Sequence, residues 1–176
     1  MPRRLLRDRR VAVDEWRYLD DAAEPAISVQ LANTADAGNS SRDALIVPFE
    51  RWLRERESWH AHNGRLGVLL GPAQAVLELV VDLPRLSLIA VQFPSPGEGR
   101  GYSHARQLRE RWKFTGELRA VGCVRQDQLF FLARCGFTAF ELPEAEIESA
   151  GAAFTTFSAE YQVSNDAGLA GTLRHR

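Results

Sequence analysis

The chain has 176 residues, 45% hydrophobic and 26% charged, with a net charge of -1. That is the make-up of one globular domain large enough for a sizeable core. It argues against a general nucleic-acid binder, and no apolar run approaches the roughly 20 residues of a membrane span.

The opening MPRRLLRDRR is basic, but no apolar stretch follows it and Asp8, Asp14 and Glu15 interrupt it. It therefore reads as neither a secretory signal nor a mitochondrial presequence, and the expected compartment is the cytoplasm. Val11, Val13 and Trp16 suit a strand or hairpin, and Ala26 to Leu31 suits another short strand. The polar loop NTADAGNSSR, residues 33–42, reads as a linker. The expected organisation is an N-terminal appendage over 1–35, a βα-repeat body over 43–163 and a tail over 164–176.

A βα rhythm follows the linker. Ala44–Val47, Arg65–Leu70, Leu88–Phe93, Leu118–Val121 and Ala139–Leu142 are runs of strand length, and the last three are near-continuously apolar, as in strands buried on both faces. Between them, Phe49, Trp52, Leu53 and Trp59 share a helical face. Ala73–Val81 reads as a helix, and Ala105, Leu108 and Trp112 form an apolar helical stripe. Leu129, Leu132 and Ala133 belong to a helix that stops at Gly136–Phe137. Pro143–Glu144 opens a last helix with Ile147, Phe154, Phe157 and Tyr161 inward. Repeated βα units predict an α/β fold with a mostly parallel five-stranded sheet and right-handed crossovers. Length favours an open three-layer sheet, with a partial βα barrel as the alternative.

The chemistry gathers where strands hand over to helices. The loop Pro94-Ser95-Pro96-Gly97-Glu98-Gly99-Arg100-Gly101 combines glycines able to take positive φ with a helix expected to start near Tyr102 or Ser103. Gly99, Arg100, Gly101, Tyr102, Ser103 and Arg106 are the candidate binders of a small oxyanion. Glu98, His104 and Asp127 are candidate acids or bases, and Cys123, at a strand end beside Arg125, is a candidate thiol. No residue stands out as catalytic. The histidines at 60, 62, 104 and 175 show no metal-ligand spacing with cysteines or carboxylates, so no metal is expected. Neither a dinucleotide G-x-G-x-x-G nor a phosphate-loop lysine is present, which leaves the cofactor unknown. Cys123 and Cys135 read as two thiols rather than a disulfide.

The runs FPSPGEGRGYSHARQLRER, GELRAVG and RQDQLFFLARCGFTAFEL, with VAVDEWRYL, LIVPFERWLRER and FSAEYQ, resemble bacterial domain-of-unknown-function family 934. The resemblance implies an uncharacterised, putative oxidoreductase associated with sulfite reduction and sulfur assimilation. Its partner would be sulfite reductase or another sulfur-assimilation protein, with no nucleic acid and no membrane. The family pattern has Asp where Glu98 stands and Gly-Asp where Gly122-Cys123 stands. The resemblance carries no catalytic residue over, and reducing sulfite to sulfide takes six electrons, so a stand-alone reductase without a redox cofactor is not the expectation. The alternative is a non-redox metabolic enzyme or binding module for a phosphorylated or carboxylated small molecule. Whether the chain is catalytic at all is left open by the sequence.

Overall fold

The computed structural model describes residues 4–20 and 44–153, with side chains described to residue 150. Eight strands form one sheet: β1 (Arg4–Arg7), β2 (Arg10–Val13), β3 (Arg17–Tyr18), β4 (Leu45–Pro48), β5 (Leu66–Leu70), β6 (Leu86–Phe93), β7 (Glu117–Gly122) and β8 (Ala139–Phe140). Their order is β2-β1-β8-β7-β6-β5-β4-β3. The six strands from β3 to β8 lie side by side in chain order and are parallel, while β1 is antiparallel to both β8 and β2.

This order decides between the two expected architectures. A doubly wound sheet reverses its winding at a switch point. Here each parallel strand pairs with its predecessor in the chain, as in a barrel, and the curled sheet makes a half-barrel. The open three-layer sheet is therefore not the fold, and the expected five strands are joined by three from the N-terminal segment. A chain-length constraint enforces the curl. A flat eight-stranded sheet would hold its outermost strands, β2 and β3, about 33 Å apart. Yet Val13 and Arg17 are four residues apart, a reach of at most about 14 Å. Asp14, Glu15 and Trp16 can join the two edges only if the sheet bends them towards each other.

Two clusters of buried side chains lie on the two faces of the sheet. The larger takes Leu45, Val47, Val68, Ile89, Val91, Leu118 and Ala120 from the strands and packs them against helical Trp52, Trp59, Ala105, Leu108 and Leu132. The smaller contains no helical residue: Trp16, Ala44, Ile46, Leu88, Ala90 and Val121, with Tyr18 and Leu69 beside them. It lines the concave face. Opposite Leu88 only a glycine fits without a shift, because a Cβ on Gly67 would come within 3.0 Å of the Leu88 side chain.

The helices are short: α1 (Phe49–Arg54), α2 (Arg56–His60), α3 (Arg100–Arg106), α4 (Leu129–Arg134) and α5 (Glu144–Ala153). The helix expected through Trp59 breaks at Glu55 (φ -111°, ψ 21°), but Trp52 and Trp59 still stack with ring centroids 6.3 Å apart. The helix expected over Ala73–Val81 is only a 3-10 turn at Val76–Leu79, preceded by Ala75 in extended geometry (φ -91°, ψ 122°). α4 ends as expected. Gly136 takes φ +104°, Phe137 N donates to Leu132 O at 3.2 Å and Gly136 N to Ala133 O at 2.8 Å. Ile147 on α5 is buried. Phe154, Phe157 and Tyr161, the strand at 26–31 and the 33–42 loop lie outside the described residues. No helix among the described residues is long and apolar enough to cross a membrane.

Gly122 ends β7 at φ +93°, and a Cβ there would sit 2.5 Å from Phe93 O, whereas a Cβ on Gly99 meets nothing within 4 Å. In urea denaturation Gly122→Ala is expected to cost about 2–4 kcal/mol and Gly99→Ala to stay within about 0.5 kcal/mol of the parent.

Candidate functional site

Ligands of parallel α/β folds bind at the C-terminal ends of the strands. At that rim β6 runs into the glycine loop and β7 into Cys123. α3 begins at Arg100, earlier than Tyr102, so Arg100 lies in its first turn. Glu98 meets it there. The Glu98 carboxylate accepts the Arg100 backbone N–H (3.0 Å), Nε (2.9 Å) and Nη2 (2.7 Å). These are the donors expected to hold an oxyanion, and the chain's own carboxylate takes them. The Arg100 side chain first, then its backbone N–H, lowers the Glu98 pKa to about 2.

The other glycines of the loop do not serve as expected either. Among the described residues only Gly122 and Gly136 are glycines at positive φ. Gly101 is needed for packing, since a Cβ would stand 2.5 Å from the Phe93 ring. Tyr102 packs edge-on against that ring at 5.5 Å, and burial raises its pKa, with Cys135 and Asp127 adding to the effect. His104 is half-buried near Arg100 and Glu98. Burial, then the Arg100 charge, lowers its pKa, so it is neutral at pH 7, and its Nδ1 is buried without a hydrogen-bond partner. Arg106 is exposed and paired with Glu110 at 3.0 Å. Ser103 and Asp127 are exposed. Cys123 is an exposed thiol whose Sγ donates to Pro94 O at 3.3 Å, while its N–H donates to Phe93 O at 2.7 Å. The fold thus gathers Glu98, Arg100 and His104 into one group and binds Cys123 to the start of the loop. Arg106 stays out of that group.

A second constellation went unmarked in the sequence. Arg119 projects from β7 into the concave face and is fully buried. Its Nε donates to Glu117 (2.9 Å) and its Nη1 to both oxygens of Asp14 (3.0 Å each), while Glu141 lies at 3.4 Å. Tyr18 OH donates to Glu141 at 2.6 Å, and Arg7 pairs with Glu117 at 3.0 Å. Burial opposes the charge on Arg119, but Glu117 and Asp14 outweigh it and hold its pKa above the ordinary value. Burial, then Glu141, raises the Tyr18 pKa, so the phenol remains a neutral donor. Arg119 Nη2 is buried without a partner. Next to this network an open pocket of about 230 Å³ is lined by Tyr18, Leu69, Gln92, Val121, Gly122 and Glu141. The sequence signal was Arg119 itself, a charge at the inward parity of the apolar run LRAV, where a buried charge demands partners. Among the described residues no group of three or more His, Cys, Asp or Glu is placed to hold a metal ion.

Arg119→Ala would strand buried carboxylates and is expected to cost about 3–5 kcal/mol in urea denaturation. Arg100→Ala, which removes an exposed guanidinium from a largely covered carboxylate, should lower the melting temperature by much less than Arg119→Ala. The Glu98 pKa is depressed, so its pair contributes fully above the ordinary value of 4.5 and is lost as pH falls towards about 2. Carboxyl NMR titration should place the Glu98 midpoint near 2, and Arg100→Ala should raise it, short of the ordinary value because the backbone N–H of residue 100 still donates to it.

A family model described as a bacterial protein of unknown function (DUF934) matches residues 67–170. The matched span holds the glycine loop, Cys123, Glu117, Arg119 and Glu141, while Asp14 and Tyr18 precede it. Among curated proteins none matches this chain. The family match spans more than half of the 176 residues, and the chain belongs to the DUF934 family.

Proposed function

We propose that the half-barrel binds a small, donor-rich polar molecule, bearing an amine or hydroxyl groups, at the pocket between Tyr18, Gln92 and Glu141. One observation carries this reading: a fully buried guanidinium with three carboxylates around it, on a concave face that barrels ordinarily fill with branched apolar side chains. A buried charge cluster is costly, and beside a pocket at the strand C-termini it is a functional feature before it is a structural one. The groups at the pocket set the ligand class. Glu141 and Gln92 line it, and a carboxylate and an amide oxygen there suit a donor better than sulfite or phosphate. Glu141, oriented by the neutral Tyr18 phenol, is the acceptor and the group positioned to take a proton.

The place of the protein in the cell follows from its family resemblance. The chain acts in sulfite reduction as an accessory to sulfite reductase or to another sulfur-assimilation protein, supplying a binding site rather than the electron path. A small oxyanion has its own position at Arg100, but must displace the Glu98 carboxylate to occupy it.

A melting-temperature screen of primary amines, amino alcohols and polyols, with sulfite and phosphate as comparators, tests the ligand class. Stabilisation by amine or hydroxyl compounds alone is expected. Gln92→Ala, at an exposed position, should remove that stabilisation and leave the unliganded melting temperature unchanged. Stabilisation by sulfite that survives Gln92→Ala overturns the reading. Deleting the gene should stop growth on sulfate or sulfite and spare growth on sulfide, whereas equal growth on all three removes the sulfur assignment.

A further inference from the structure

The opposite end of the half-barrel carries a second pocket, where β6 and β7 begin. Its volume is about 300 Å³, with Leu83, Pro84 and Leu86 from one segment and Trp112, Lys113 and Phe114 from another among its lining. Its lining mixes these apolar side chains with polar surface from Lys113, Thr115 and Gly116, and its size falls at the small end of ligand sites.

The backbone at this pocket departs from regular geometry twice in succession. α3 runs on as a π-helical turn over Gln107–Arg111, with Trp112 N donating five residues back to Gln107 O at 3.1 Å. Such turns are rare and recur at functional positions. Lys113 then takes φ +53°, at the helix-ending position that glycine ordinarily fills without strain. The other non-glycine residues at positive φ, Asp8 and Arg9, form the two-residue turn between β1 and β2, where that geometry is required. Lys113 has no such reason. A lysine, the only one in the chain, is kept where glycine would fit better.

What lysine adds is charge. Lys113 and Arg111 are both exposed, and neither has a carboxylate partner among the described residues. The Arg111 guanidinium lies over the Trp112 ring at 4.9 Å from its centroid. Arg109 fixes the far side of the stretch by donating to Gly136 O at 3.0 Å and Gly116 O at 2.9 Å. A recess with both apolar and polar lining thus has Lys113 at its wall and Arg111 over the neighbouring Trp112 ring, two cations with no carboxylate partner among the described residues.

We infer that this pocket binds a small amphiphilic anion, its aliphatic or aromatic body between Leu83, Pro84 and Trp112 and its carboxylate beside Lys113. The site is separate from the Tyr18–Glu141 pocket and stands or falls independently of it.

The probe is 4-chlorobenzoate, with 4-chlorobenzyl alcohol as its neutral counterpart, titrated into the full chain. Trp16, Trp52 and Trp59 are buried, so the half-buried Trp112 is the indole that reports binding in NMR. A saturable shift of its N–H with the benzoate is expected, and weaker binding of the alcohol. Lys113→Gly relieves the backbone strain, so its melting temperature should equal or exceed that of the parent, while benzoate affinity falls about three- to fivefold and alcohol affinity is unchanged. Salt at 0.5 M should erase the difference between the two proteins for benzoate. No saturable shift of the Trp112 indole, equal benzoate affinity in Lys113→Gly, or alcohol bound as tightly as benzoate each overturns the inference.

Discussion

The three residues between β2 and β3 constrain everything else in the fold. They tie the two outermost strands of an eight-stranded sheet across a gap that a flat sheet would make more than twice too wide. The sheet has to curl, and curling gives its faces different tasks. The convex face takes the helices and the large apolar cluster. The concave face takes no helix and combines Ala44, Gly67 and Ala90 with Trp16, Leu88 and the buried Arg119. The N-terminal strands are therefore part of the barrel wall, with β1 pairing β8 and β3 pairing β4.

The Arg119 cluster shares this constraint. Asp14 lies in the tying segment, Arg119 on β7, Glu141 just after β8 and Tyr18 on β3 at the far edge. Tyr18 and Glu141 meet at 2.6 Å although four strands separate β3 from β8 in the sheet. One guanidinium thus links the crossing segment to two strands, and the phenol extends the link to a third. An apolar set of the same volume would often be as stable or more so. What the charged set adds is a fixed orientation for Glu141 at the mouth of the pocket.

The sequence disclosed the strands because burial on both faces writes a continuous apolar run, and the runs at Leu88, Leu118 and Ala139 all became parallel strands. It disclosed the Gly136 stop because left-handed geometry there has a residue signature. Strand order has none, so the choice between open sheet and half-barrel could not be read from periodicity. Nor could the pairing of Leu6 and Arg7 with distant β8, since four residues of strand look alike in any sheet. Arg119 was legible in principle, as a charge at inward parity, but the chain's abundance of arginine hid it. Its partners at 14, 117 and 141 come together only once the barrel bends. The segment at 73–81 shows the reverse case: it reads as a helix by its residues, yet only a 3-10 turn at Val76–Leu79 forms.

The glycine loop shows why donor-rich sequence alone does not define a ligand. A backbone N–H at a helix start and a guanidinium beside it attract any carboxylate or oxyanion of suitable shape. An internal carboxylate competes at a very high effective concentration because the chain delivers it. Glu98 stands two residues before Arg100, close enough for its side chain to turn back onto both donors, and it does so with three hydrogen bonds. A free oxyanion would gain the same contacts only after losing its translational freedom and displacing that carboxylate. The pair therefore serves first as a cap on α3, which has no other side-chain acceptor at its Gly99 cap. Buried polar atoms left without a partner lie elsewhere, at His104 Nδ1 behind the loop and, deeper, at Arg119 Nη2 beneath the barrel wall, and the second of these is the one beside a pocket.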